Sequence, residues 1–297
     1  MCIFSSFRNR FGIFYSLPLL VTFLAGVSAA EEIGGSRVER IGIETTLSQP
    51  AKADKIDTEY VKGYVTDTGT MLVSPVNWDR SDWLKAGLVV GATATLYLAD
   101  TDIRKVAQRN QSSSGDTVAN VGNALGDPLY IVPPLGLFYL YGHFHEDPKA
   151  RQTSLLALES LAISGALTWS VKEIAQRPRP YTGKSSTTWN GPSRKLGDYS
   201  FPSGHSTAAF SVASVFAEEY ENNPYVPPIA YGLATLTSFS RIYGDKHWAS
   251  DVFLGGAIGY FVGKTIVRYH TAHDATALNI MPTVSKQGFG LAAEYRF

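Results

Sequence analysis

Cysteine is almost missing from this chain: of 297 residues only Cys2 carries a thiol. Disulfides therefore cannot staple the fold, and a packed core has to hold it. Charge excess is missing as well, with 26 basic and 26 acidic side chains. That balance leaves no basic footprint and argues against a nucleic-acid partner. Long uncharged runs are scarce. Ala86–Ala99, Pro128–Tyr141, Ser160–Val171, Thr207–Ala217 and Val252–Gly263 reach roughly 17–21 Å each as helix, against ~30 Å of bilayer hydrocarbon. The longer run Asn222–Ser240 contains two Asn and three Pro. Run length favours a soluble or surface-bound domain. Gly255, Gly259 and Gly263 point the other way, having the small-residue spacing seen where membrane helices touch. There is no internal repeat and no low-complexity tract.

What is present begins with a secretory pattern. Arg8 and Arg10 precede the apolar stretch Phe11–Ala25, and Ser28 and Ala30 place small side chains before Glu31 and Glu32. Residues 1–30 are expected to be a signal peptide, with the mature protein exported to the periplasm. Residues 31–82 read as a polar segment in which Tyr60–Val65 and Thr70–Val73, around Asp67-Thr-Gly69, predict a hairpin. Residues 83–270 carry helical periodicity, with helices expected over 83–99, 117–125, 128–141, 149–176, 206–221, 227–243 and 248–270. Residues 271–297 change to period two, and a second hairpin is expected across Ser285–Gly288. The fold class is all-α, a helical bundle with small β-hairpin appendages.

Three clusters in the second half carry chemistry. Lys172 lies near a helix end, and Arg179 follows between Pro178 and Pro180. With Arg241 they offer three fixed positive charges, suited to phosphate oxygens. Pro202-Ser203-Gly204-His205 opens an apolar helix whose N–H groups make a phosphate seat. His247 and Asp251, four residues apart, share a helix face, so the carboxylate can fix one imidazole nitrogen and free the other as a nucleophile. Singly, each cluster has a plainer reading as a solvated helix end, a capped helix start or a surface ion pair.

Together, Lys-x6-Arg-Pro, Pro-Ser-Gly-His and Ser-Arg-x5-His-x3-Asp resemble the signature of the type 2 phosphatidic acid phosphatase and vanadium haloperoxidase superfamily. Lys172, Arg179, Pro180, Pro202, Ser203, Gly204, His205, Ser240, Arg241, His247 and Asp251 fill its fixed positions. The resemblance covers residues 172–251 and implies a metal-independent phosphatase. In it His247 attacks phosphorus, Asp251 orients His247, and His205 protonates the leaving oxygen and then activates water. Lys172, Arg179, Ser203, Gly204 and Arg241 hold the phosphoryl oxygens. No cofactor is implied, except vanadate under the haloperoxidase alternative. The implied partner is a phosphorylated lipid or a small phosphate ester, with membrane-surface contact. A second Arg-Pro pair, Arg177-Pro178, competes for the cation role, and spacing from Lys172 favours Arg179. His143, His145, Glu146 and Asp147 read as a solvated helix exit rather than a metal site. His270 and His273 read as caps of the last helix. Residues 181–200, with Trp189, read as a substrate-selecting loop.

Overall fold

Most helices begin on a residue that answers their open N–H groups. Asp57 accepts from the Tyr60 amide at 2.8 Å and opens α1 (Thr58–Val73). Asp79 and Asp82 form a reciprocal capping box at the head of α2 (Arg80–Arg109). Ser112, Asp127 and Asp147 cap α3 (Ser113–Leu125), α4 (Pro128–Phe144) and α5 (Pro148–Ala175). The last two have proline in the first turn, where no N–H is needed. Ser203 caps α6 (Gly204–Glu219), and α7 (Val226–Tyr243) and α8 (Ala249–Ala275) complete the bundle. This computed structural model describes residues 54–192, 197, 199–275, 278–285 and 288–295, so the expected signal segment lies outside the described residues.

The helical expectation for the second half matches the architecture, but the hairpin expected around Asp67 is a helix. Tyr60 and Tyr64 lie one turn apart, their rings edge to face at 5.2 Å and their hydroxyls 2.7 Å from each other. The Tyr60 hydroxyl also reaches the Leu155 carbonyl of α5 at 2.9 Å. These contacts repeat at helical spacing and override the local alternation that suggested strands. Asp67 and Gly69 therefore lie inside α1 rather than at a turn. At the other end, β1 (Leu278–Ser285) pairs antiparallel with β2 (Gly288–Tyr295), Leu278 opposite Tyr295.

The core lies between α5, α6 and α8, where Leu156, Ala157, Val215 and Ile266 meet Ile131 and Leu135 of α4. Leu156 and Ile266 are fully enclosed, and burying a side chain of that size contributes about 1.5–3 kcal/mol. Helices α6 and α8 touch backbone to backbone. A Cβ built on Gly255, Gly259 or Gly263 would come closer than 3.0 Å to the carbonyl oxygen of Ser203, Thr207 or Ser211 respectively. The glycine spacing thus sets one specific helix contact. Helices α2 and α4 leave Trp83, Leu84, Leu98, Leu129, Leu137 and Phe144 exposed. Among the described residues, one helical stretch, Pro148–Thr182, is long and apolar enough to cross a membrane, and half of its apolar window is buried.

Candidate active site

The three clusters converge where α5 ends, α6 begins and α7 passes into α8. Lys172 stands in the last turn of α5, which stops at Gln176 in the left-handed region, φ 46°. Its ammonium donates to the carbonyls of Tyr199 at 2.9 Å and Pro202 at 2.7 Å. The lysine thereby secures the strand of chain that leads into Pro-Ser-Gly-His. Ser203 and Gly204 form the N-terminus of α6. The Ser203 amide donates to the Asp251 carbonyl at 2.9 Å, and a Cβ on Gly204 would meet nothing within 4 Å. Space beside Gly204 is what an approaching oxyanion requires.

Between α7 and α8 the chain makes a tight turn. The amides of Lys246 and His247 both donate to the Arg241 carbonyl, at 3.0 and 3.1 Å. Asp245, at φ 58°, is held by a forked pair of bonds from Arg104 at 2.6 and 2.7 Å. Arg241 is buried and donates to Asn123 of α3. Arg179 reaches the Lys246 carbonyl at 3.4 Å.

His247 is buried, with 3% of its surface exposed. Its Nδ1 lies 3.3 Å from the Ser200 hydroxyl and 3.8 Å from Asp251 Oδ2. The second distance is too long for a hydrogen bond, so Asp251 acts on the ring through Ser200. The Ser200 hydroxyl donates to Asp251 Oδ2 and is left to accept from His247 Nδ1–H. That relay places the proton on Nδ1 and leaves Nε2 with its lone pair. Burial, then the charges of Lys172, Arg179 and Arg241, hold His247 well below the ordinary imidazole range. His205 is pushed down to about 4 by burial first and then by Arg241, with Arg179 and Lys172 adding to it and Asp127 opposing. The same cations act on both imidazoles, which places the expected histidines and cations around one point.

Residues 153–274 match the sequence model of the PAP2 superfamily. A curated relative, the lipid A 1-phosphatase of Porphyromonas gingivalis, is 28% identical over 179 residues, which is 59% of this chain and 36% of that protein. The chain thus spans about a third of that relative's length. Among solved structures, the transmembrane PAP2 type phosphatidylglycerolphosphate phosphatase from Bacillus subtilis has a similar fold, with TM-score 0.50 and 21% identity, covering 62% of this chain and 94% of that one. Aquifex aeolicus LpxE matches at TM-score 0.46 and 21% identity, over 57% of this chain and 95% of that one.

The matched region contains one residue whose place the sequence left open. Arg177 is fully buried and turned away from Arg179. It donates to Asp251 Oδ1 at 2.6 Å, Asp100 Oδ2 at 2.7 Å, Ser250 Oγ at 2.8 Å and the Ser186 carbonyl at 2.6 Å. Tyr97, Trp189 and Trp248 surround its guanidinium at 5.0–5.3 Å. Burial raises the pKa of Asp251 and of Asp100, and Arg177 opposes the rise in both. The sequence offered no sign of Ser200. Asp100 left a faint one, as an acid at the end of the apolar run Ala86–Ala99. Of the weaker candidates, His145 Nδ1 lies 3.0 Å from the Tyr141 carbonyl and Asp147 caps α5. His270 caps nothing: α8 runs on to Ala275, and the ring faces Asp67 and Glu159.

Proposed function

We propose that this chain hydrolyses phosphate monoesters, with lipid or isoprenoid phosphates as substrates and no metal in the reaction. The observation that carries the proposal is His247: an imidazole kept neutral by burial first and then by three nearby cations, its Nδ1 bonded to Ser200 and its Nε2 left for attack. His247 Nε2 attacks phosphorus as the bond to the leaving oxygen breaks, and His205 gives that oxygen its proton. His205 then takes a proton from water, hydroxide attacks the phospho-histidine, and the P–N bond breaks to release inorganic phosphate. Lys172, Arg179, Arg241, Ser203 and the Gly204 amide neutralise and position the phosphoryl oxygens, which is most of what phosphoryl transfer demands.

Two features support an apolar leaving group. Tyr181 is exposed and lies under the Lys246 ammonium, next to the carbonyl that Arg179 reaches. A groove of about 300 Å³, lined by Leu125, Ile131, Ala209, Val212, Phe216 and Leu233, begins one turn beyond His205 on α6. The P. gingivalis relative, by its name, acts on a phosphorylated lipid. With the exposed apolar residues of α2 and α4, this supports a site that works against a membrane surface, reached by export to the periplasm.

The test is phosphate release from phosphatidate in mixed micelles and from a soluble aryl phosphate, with chelator present. Wild type and His247→Ala would be compared. Turnover in the wild type that is lost in the variant, and that favours the micellar substrate, is expected. A preference for the aryl phosphate would assign a broad acid phosphatase instead. No turnover in folded protein, with halide-dependent peroxidation on adding vanadate, would replace the phosphatase reading altogether.

A further inference from the structure

Glu159 is the least expected charge in the bundle. It is fully enclosed, and neither carboxylate oxygen receives a hydrogen bond. Its one ion-pair contact among the described residues is His270 Nε2, 3.3 Å from Oε2. The same Nε2 lies 3.3 Å from Asp67 Oδ2 and likewise makes no hydrogen bond. Three elements meet here, α1 with Asp67, α5 with Glu159 and α8 with His270, and their ligand atoms lie within 4.8 Å of one another.

We propose that Asp67, Glu159 and His270 bind a divalent cation of the zinc class, in a structural site that fastens α1 to α5 and α8. The spacing is the first reason. Ligands bonded at ~2.0–2.1 Å around a tetrahedral ion stand about 3.3–3.4 Å apart, and both contacts of Nε2 have that length. Their geometry satisfies no hydrogen bond, but it does fit two edges of such a tetrahedron. Charge is the second reason. A buried carboxylate is tolerated when it is paired or bound to a metal. Glu159 has that need on its own, since it is fully enclosed and neither of its oxygens is hydrogen-bonded. Metal ligation requires the neutral imidazole, so binding of the cation would release any proton that His270 carries. One imidazole and two carboxylates suit zinc better than magnesium, which favours all-oxygen shells with several waters.

This site stands apart from the phosphate cage. Glu159 and Lys172 are thirteen residues apart on α5, roughly 20 Å. It is therefore assigned no part in the chemistry, and its test does not read phosphate release. Full-length protein would be stripped with chelator, desalted, and titrated with Zn2+ and with Co2+. Expected are about one bound Zn2+ per chain, a visible Co2+ spectrum of tetrahedral type, and a Tm rise on the order of 5–10 °C at free Zn2+ 100-fold above Kd. His270→Ala and Asp67→Asn should each weaken binding at least about tenfold. Asp67 is on the outer helix α1, so that variant retains the buried Glu159. His145→Ala, at a surface histidine, should bind as wild type does. Wild-type protein that neither retains Zn2+ nor shifts its Tm would overturn the proposal. Equal binding in His270→Ala and Asp67→Asn would overturn it too.

Discussion

Replacing Gly255 with alanine tests whether backbone contact between α6 and α8 sets the catalytic geometry. The added Cβ would lie closer than 3.0 Å to the Ser203 carbonyl oxygen and 3.1 Å from the Ser203 amide nitrogen. The carbonyl is backbone, so no flexible side chain can give way, and the helices must part by on the order of 0.5–1 Å. Ser203 would move off Asp251, stretching the 2.9 Å bond from its amide to the Asp251 carbonyl. Gly204 and His205 on α6 would move with it, away from His247 and Asp251 on the other side of the contact. Misplacement by about 1 Å can cost roughly 100-fold in rate, and overpacking a tight contact costs about 1–3 kcal/mol. We therefore expect kcat/KM for an aryl phosphate to fall roughly 30- to 100-fold, with a lower Tm. Gly165→Ala is the control, since its Cβ would meet nothing within 4 Å. It should keep full activity and gain up to about 1 kcal/mol from helix propensity. Wild-type kcat/KM and Tm in Gly255→Ala would refute the reasoning.

Removing the buried guanidinium in Arg177→Met should destabilise the protein by about 3–5 kcal/mol, because Asp100 and Asp251 lose their compensating charge. In Arg177→Lys, kcat should fall while the affinity for inorganic phosphate, read by competitive inhibition, stays near wild type; a large loss of phosphate affinity would make Arg177 a ligand instead. Ser200→Ala removes the link between His247 and Asp251, and a hydrogen bond to a charged group is worth about 1.5–3 kcal/mol. Its kcat should drop by roughly 10- to 150-fold with little change in KM. For pH, His247 must be neutral to attack and His205 protonated to donate. With His205 lowered to about 4 in the free protein, kcat/KM should fall as pH rises above that value. A bound phosphate dianion raises the pKa of His205, so the descending limb of kcat should lie at higher pH than that of kcat/KM; coincident limbs would contradict the assignment.

The cage was legible because its members are close in sequence to the chain features that place them. A helix end positions Lys172, flanking prolines fix Arg179, a cap exposes Gly204, and one turn joins Arg241 to His247. The supporting residues come from distant helices, and single-sequence spacing carries no trace of such pairings. Asp100 of α2 and Asn123 of α3 are examples, meeting Arg177 and Arg241 only in the folded bundle. The same distance effect blurred α2. The helix expected over 83–99 runs on to Arg109, with Asp100 buried against Arg177 and Ser250 and Arg104 reaching Asp245. In α1 the tyrosines alternate with polar residues and look strand-like until Leu155 supplies a partner. Where Gly255, Gly259 and Gly263 are concerned, the sequence announced close packing but could not name the surface, which is the α6 backbone.

The paired dipeptides Arg177-Pro178-Arg179-Pro180 make an irregular stretch intolerant of changes in length. The two arginines face opposite ways, one into Asp251 and Asp100, the other toward Lys246 and the cage. Loops ordinarily absorb insertions and deletions, but here a two-residue deletion would leave a single arginine to serve two destinations. An inserted residue would turn Arg179 out of register while every motif letter survived. A chain with all the signature residues and a different count between Lys172 and Arg179 would then be expected to fold around an incomplete cage, so spacing in this segment is as diagnostic of activity as the residues themselves.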